Sequence, residues 1–177
     1  MKKLILIILC FVSTTTLFAQ KFASVDTEYI LSNMPEYKQA QKELDDMAVQ
    51  WQKEVEAKFQ IVDRLYKAFQ AESVLLPEEL KTKKENEIIA AEKEAKDMQK
   101  QRFGNTGDLS KKRSQLVKPI QDKVYNAIEK IAQEKNYSMI FDKSSGATIL
   151  YVDAKTDVSD LVLAELGYKI SGQKGSR

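Results

Sequence analysis

Residues 35–79 read PEYKQAQKELDDMAVQWQKEVEAKFQIVDRLYKAFQAESVLLPEE, and the spacing of their apolar side chains decides the fold. Tyr37, Ala40, Leu44, Ala48, Trp51, Val55, Phe59, Val62, Tyr66 and Phe69 recur at an average of about 3.6 residues per step, a helical or coiled-coil period and not a strand period. Pro35 with Glu36 suits a helix start, because proline fits the first turn and a carboxylate there meets the positive end of the helix dipole. Pro77-Glu78-Glu79 repeats that signature directly after Ser73-Val74-Leu75-Leu76. The chain is therefore expected to turn near residues 73–77 and return as a second helix, since only a short connection separates the two. A first arm of about 40 residues would be about 60 Å long.

The returning arm carries a sparser stripe: Leu80, Ile88, Ala91, Ala95, Met98 and Phe103. Gly104-Asn105-Thr106-Gly107 interrupts it. Two glycines in four residues cost roughly 2 kcal/mol of helix propensity, so a break is expected near 104–107, with Asp108 capping the helix that resumes. Antiparallel pairing about the turn puts Trp51 opposite residues 101–104, and the glycines are expected to make room for its indole. Beyond the break Leu109, Leu116, Ile120, Val124, Ile128 and Ile131 continue the stripe to about Lys135, with Pro119 bending the helix.

The two ends of the chain predict a small β body, from residues 20–34 and 136–177. Phe22 to Asp26 reads as a strand, followed by a helical turn through Tyr29, Ile30 and Leu31. Tyr137 to Asp142 and Thr148 to Val152 are β-branched and aromatic runs, and residues 143–147 between them predict a hairpin loop. Asp157 or Ser159 caps a last helix through Leu161, Leu163 and Leu166, ended by Gly167. The fold class is α+β: a long antiparallel helical hairpin, residues 35–135, on a small β body. Three short strands leave open sheet edges, which association through the β parts would close, as a dimer or a trimer.

The first nineteen residues predict a secretory signal peptide. Met1-Lys2-Lys3 is cationic, the apolar run from Leu4 to Val12 is too short to span a bilayer, and Ala19 offers a small residue before the cut. Cys10, the single cysteine, lies inside this segment behind Leu9, a residue too large for a lipidation site. Cleavage would leave 26 basic against 26 acidic residues, a neutral chain. Neutrality argues against nucleic acid as a partner. With no histidine there is no imidazole base and no histidine-ligated metal; no glycine-rich phosphate loop and no nucleophile with a base in sight are present either. The reading is a non-enzyme without cofactor or metal.

Five segments, in this order behind a leader, resemble the Skp/OmpH family of periplasmic chaperones: Phe22 to Asp26, Asn33-Met34-Pro35-Glu36-Tyr37, Lys118-Pro119-Ile120-Gln121-Asp122-Lys123-Val124, Asn136 to Lys143, and Leu150-Tyr151-Val152-Asp153. The resemblance covers essentially all of 20–168. It implies a trimer shaped like a jellyfish, in which strands of three subunits form a β-barrel and three hairpin tentacles enclose a cavity. It further implies an ATP-independent holdase that keeps unfolded outer-membrane β-barrel proteins from aggregating in the periplasm. The neutral charge and the Gly104–Gly107 break depart from better-known members, which are often basic with continuous tentacle helices.

On that reading Met47, Ile61 and Leu65, which fall off the stripe, and Phe103, beside the break, are the client-contact candidates. Trp51, Phe59, Tyr66 and Phe69 lie on the stripe and are expected in the hairpin core. Lys81, Lys83 and Lys84, with Lys111, Lys112 and Arg113, are candidate contacts for lipopolysaccharide or an anionic membrane surface, against the plainer reading of a solvated face. The alternative from a different class is a structural or adaptor coiled-coil protein of the cell envelope, which would bind one folded partner and ignore unfolded chains.

Overall fold

A computed structural model describes residues 20–146 and 149–168. The leader expected at 1–19 lies outside them, as do Ala147, Thr148 and residues 169–177. The order of elements is β1 (Lys21–Val25), α1 (Thr27–Ser32), α2 (Pro35–Glu72), α3 (Glu78–Phe103), α4 (Asp108–Lys135), β2 (Tyr137–Asp142), a 3-10 turn (Ala154–Thr156) and α5 (Ser159–Glu165). The chain divides into two compact units, residues 29–126 and the two ends up to Glu28 and from Ala127 onward. Helix α4 runs unbroken through the second division, so no change of secondary structure marks it.

In the 29–126 unit α2 and α3 pack as an antiparallel hairpin. Helix α2 begins at Pro35 with Glu36 in its first turn, and α3 begins after Pro77 with Glu78 and Glu79 in its own. Ala40, Leu44 and Val55 of α2 and Ile88 and Ala95 of α3 are buried. Ion pairs hold the alignment along its length: Glu72 with Lys84 at 2.7 Å, Lys58 with Glu94 at 2.6 Å, Glu54 with Arg102 at 2.9 Å and Glu36 with Lys123 of α4 at 3.8 Å. The residue numbers in each pair add to between 152 and 159, as antiparallel strands of helix require. In α4 Val117, Ile120 and Val124 are buried, while Pro119 sits on the exposed side, where water can meet the carbonyl it leaves without a donor.

The break falls where the glycines are, but for another reason than space for the indole. A Cβ on Gly104 would stand 2.4 Å from the Lys100 carbonyl oxygen, and one on Gly107 2.7 Å from that of Gln101 and 2.9 Å from Gly104 itself. Both glycines let the backbone fold tightly over the end of α3, a close approach that a side chain would prevent. The Asp108 carboxylate is engaged by Arg102 at 2.9 Å.

In the second unit β1 pairs with β2 in parallel, Phe22 opposite Met139 and Val25 opposite Asp142, with a bulge after Lys21. Ala23, Ser24 and Val25 are all buried. On its other side β1 makes, among the described residues, a single bridge, Ser24 to Asp157, where Val158 N–H donates to the Ser24 carbonyl at 2.9 Å. The expected third strand is corrected: Ile149 to Val152 form no strand, and Leu150 and Tyr151 are 93% and 83% exposed. Strand propensity is a preference for a half-buried pleated surface, and one chain offers this segment none to lie on. The sheet among the described residues is thus two-stranded and parallel rather than a three-stranded one with a hairpin.

Two carboxylates tie the loops of this unit together. Asp142, at the end of β2, accepts from Thr27 N–H at 3.2 Å, Thr27 Oγ1 at 2.7 Å, and Ser144 N–H and Oγ at 3.0 and 2.8 Å. Burial alone would raise its pKa; these hydrogen bonds outweigh burial and hold it below the usual 3.8. Asp157 likewise would be raised by burial but is held low by the Lys143 ammonium at 2.7 Å and by Ser159, whose N–H it accepts at the start of α5. Gly167, at φ +84°, ends the segment after α5 in the left-handed conformation that glycine adopts freely.

Candidate functional site

The hairpin seam is narrower than the stripe on α2. Toward its tip the aromatic positions are not enclosed: Trp51 and Phe69 are half-buried, and Phe59 and Tyr66 are 36% and 49% exposed. The expectation that these four form the hairpin core is corrected. Opposite them α3 buries only Ile88 and Ala95, and a single helix covers only one side of a large ring. Val49, Ile61, Leu80 and Ile89 are exposed as well, and Val74 and Leu75 at the turn are almost fully so. The arm therefore presents isolated apolar side chains among balanced charges.

Of the candidate contact residues, Met47 and Leu65 are half-buried and Ile61 is 38% exposed. Met47 and Leu65 stand five full helical turns apart and share one face of α2, with Ile61 one turn below Leu65. Phe103 is half-buried elsewhere: with Ala48, Val49, Gln52, Lys53 and Glu56 it lines a shallow groove of about 430 Å³. The four residues thus fall into two places, a face of α2 and a groove at the end of α3.

The basic candidates are separated too. Lys84 is paired with Glu72 and Lys81 with Glu78 at 3.4 Å, and Lys83 is exposed. Five acidic residues lie between 72 and 87 against these three lysines, so the tip is not a cationic patch. Lys111 and Arg113 are exposed and Lys112 half-buried at the start of α4; none of the three makes an ion pair among the described residues. Residues 85–103 of α3, about 28 Å of helix, and the break after them separate the two groups along the chain.

One arrangement was not anticipated. The Arg102 guanidinium lies over the Trp51 ring, 4.8 Å from its centroid, while donating to Glu54 of α2 and Asp108 of α4, both at 2.9 Å. Counting residues back from the turn placed 101–104 opposite Trp51, but which side chain would meet the indole is not a property of the apolar pattern.

In the second unit a cavity of about 350 Å³ opens beside β1, lined by Phe22, Ser24, Phe141, Ile149, Tyr151 and neighbouring residues. The Phe22 and Phe141 rings stand 6.3 Å apart and are both nearly half exposed. The Ser24 hydroxyl is buried there without a hydrogen-bond partner among the described residues. An apolar sheet face lies open to solvent.

An α+β protein whose largest feature is a charged helical hairpin studded with apolar side chains has the surface of a binding protein with many weak contact points. The profile of the OmpH-like outer membrane protein family matches residues 21–166, and the chain belongs to that family. A protein of uncharacterised function from Aquifex aeolicus (strain VF5) is 32% identical over 149 residues, covering 84% of this chain and 87% of its own. The crystal structure described as an OmpH-like outer membrane chaperone from Caulobacter crescentus CB15 superposes with a TM-score of 0.65 over 90% of both chains at 13% identity, which shows a shared fold.

Proposed function

We propose that this chain is an ATP-independent holdase of the periplasm, exported by residues 1–19, that binds unfolded outer-membrane β-barrel proteins and prevents their aggregation in transit. The observation that carries the reading is the hairpin's surface: apolar side chains at Val49, Phe59, Ile61, Tyr66 and Ile89 left singly exposed among acids and bases in nearly equal number. An unfolded β-barrel protein offers apolar strand segments with unpaired edges. Scattered apolar points hold such a chain by many weak contacts, each readily released, without imposing one pose. Family membership and the fold shared with the Caulobacter protein support the same role.

We place Met47, Ile61, Leu65 and Phe103 among the client contacts and assign the β unit to homotrimerisation. A parallel pair of strands is ordinarily covered on both faces, and a two-stranded sheet is marginal alone. Here Phe22, Met139 and Phe141 are exposed at 47%, 51% and 45%, which favours coverage by further copies. Lipopolysaccharide or anionic membrane remains assigned to Lys111, Lys112 and Arg113, which make no ion pair among the described residues, ahead of the tip lysines, two of which are already paired.

The experiment is native mass spectrometry of the protein alone and after dilution of a urea-unfolded outer-membrane barrel protein into it, alongside light scattering of the client. A trimer of about 54 kDa, from subunits of roughly 18 kDa after leader removal, that takes up one client and abolishes scattering is expected. A species that ignores the client while it precipitates overturns the holdase and leaves the envelope adaptor as the better reading.

A further inference from the structure

We propose that Arg102 is a latch that fixes the angle of the chain across the Gly104–Gly107 break. Three elements of the 29–126 unit meet at this one side chain. Its guanidinium stacks on Trp51 of α2, one nitrogen reaches Glu54 of the same helix, and another reaches Asp108 at the first residue of α4. Without it, α3 would end at Phe103 and α4 begin at Asp108 joined only by a tight four-residue turn, in which Gly107 N–H donates to the Gly104 carbonyl at 2.8 Å. That bond closes the turn on itself and ties neither flanking helix to α2; the ion pair that joins α4 to α2, Lys123 with Glu36 at 3.8 Å, lies about four turns beyond the start of α4 and leaves that start to Arg102.

The chemistry suits a clamp that holds and lets go. The side chains of Arg102, Glu54 and Asp108 are 26%, 36% and 28% exposed, so water and salt reach the pairs but do not fully screen them. The guanidinium carbon sits over the Trp51 ring while its nitrogens donate in two directions, which an ammonium, a point charge on a flexible stem, does not do at once. The latch therefore depends on arginine itself and not on positive charge alone. Phe103, next in the chain and lining the groove with Val49 and Gln52, moves with it. An intact latch holds that groove; a released one lets the start of α4 swing and opens Phe103 to solvent.

The test uses a protein with Cys10→Ser and cysteines introduced at Lys93 and Ser114, exposed positions on either side of the break, spin-labelled and diluted with unlabelled protein so that only distances within one chain are read. Double electron–electron resonance is expected to give one narrow distance distribution at low salt, broadened in 1 M NaCl. Arg102→Met and Arg102→Lys should both lose the narrow component, and Trp51, the only tryptophan, should show red-shifted emission as its indole is uncovered. Asp108→Asn, which removes one leg only, should broaden the distances while leaving most of the Trp51 emission in place. Helix content by circular dichroism is read in parallel, so that a misfolded variant is recognised, and the salt series needs no variant at all. A distribution that stays narrow in Arg102→Met, Arg102→Lys and high salt overturns the latch, whatever the outcome for client binding.

Discussion

At the scale of single residues, Asp142 joins the end of β2 to the start of α1 by accepting four hydrogen bonds, from Thr27 and Ser144. A carboxyl held below its unfolded value contributes stability that is full above that value, near 3.8, and lost as pH falls through the lower folded one, because the unfolded chain then binds more protons. Asp157, held low by Lys143 and Ser159, acts in the same direction and the same window. Urea unfolding at fixed protein concentration should therefore show stability falling below about pH 4. Asp142→Asn should cost about 1–2 kcal/mol at neutral pH, since the amide oxygen can keep the donors on Oδ1 but its NH2 cannot accept from Thr27 Oγ1, and the charge is lost. It should also flatten the acid limb; a limb as steep as in the parent would place the titration elsewhere. None of this was legible in the sequence. Asp142 closed an apolar run and read as the end of a strand, and of the donors that lower its pKa two come from Ser144 in the following loop and two from Thr27, 115 residues away.

At the scale of elements, the helices were the legible part and their environment was not. The period along α2 and the paired Pro-Glu starts mark where each arm begins, and the ends at Glu72 and Phe103 follow from Ser73–Pro77 and from Gly104. A stripe says which side of a helix faces a partner, but not how much the partner covers, and for Phe59 and Tyr66 the partner is too slight. Burial thus separates residues that the pattern groups together. Leu44, 2% exposed, belongs to the seam, and Leu44→Ala should cost about 2–5 kcal/mol in urea unfolding followed by circular dichroism. Ile61, 38% exposed, contributes little to the seam, so Ile61→Ser should change stability by under about 0.5 kcal/mol. On the holdase reading Ile61→Ser should nevertheless raise light scattering by an unfolded client, more so when joined with Met47→Ser and Leu65→Ser on the same face. A stable triple variant that protects the client as well as the parent does would remove this face from the binding surface.

At the scale of the whole molecule, the question is what covers the apolar face of the second unit. Strand propensity in Ile149 to Val152 was legible, yet no rule of propensity says which chain supplies the neighbouring strand, and among the described residues of one chain there is none. Leu150 and Tyr151 stand out in solvent beside a cavity lined by Phe22, Phe141 and the buried Ser24 hydroxyl, which has no partner among the described residues. Exposed rings, an open parallel sheet and an unused extended segment each cost a lone chain stability, and further copies would remove all three costs together. Phe141→Lys, alone and with Met139→Lys, places ammonium groups on that face, where burial against another copy would desolvate them. Sedimentation velocity should show the parent as a single associated species and the double variant shifted to monomer, with the circular dichroism of α2 to α4 retained. Client protection should fall with the association if the arms act together around one client, and should persist if each arm binds alone. A double variant that sediments as the parent does would exclude this face from the interface and leave its exposed rings to another partner.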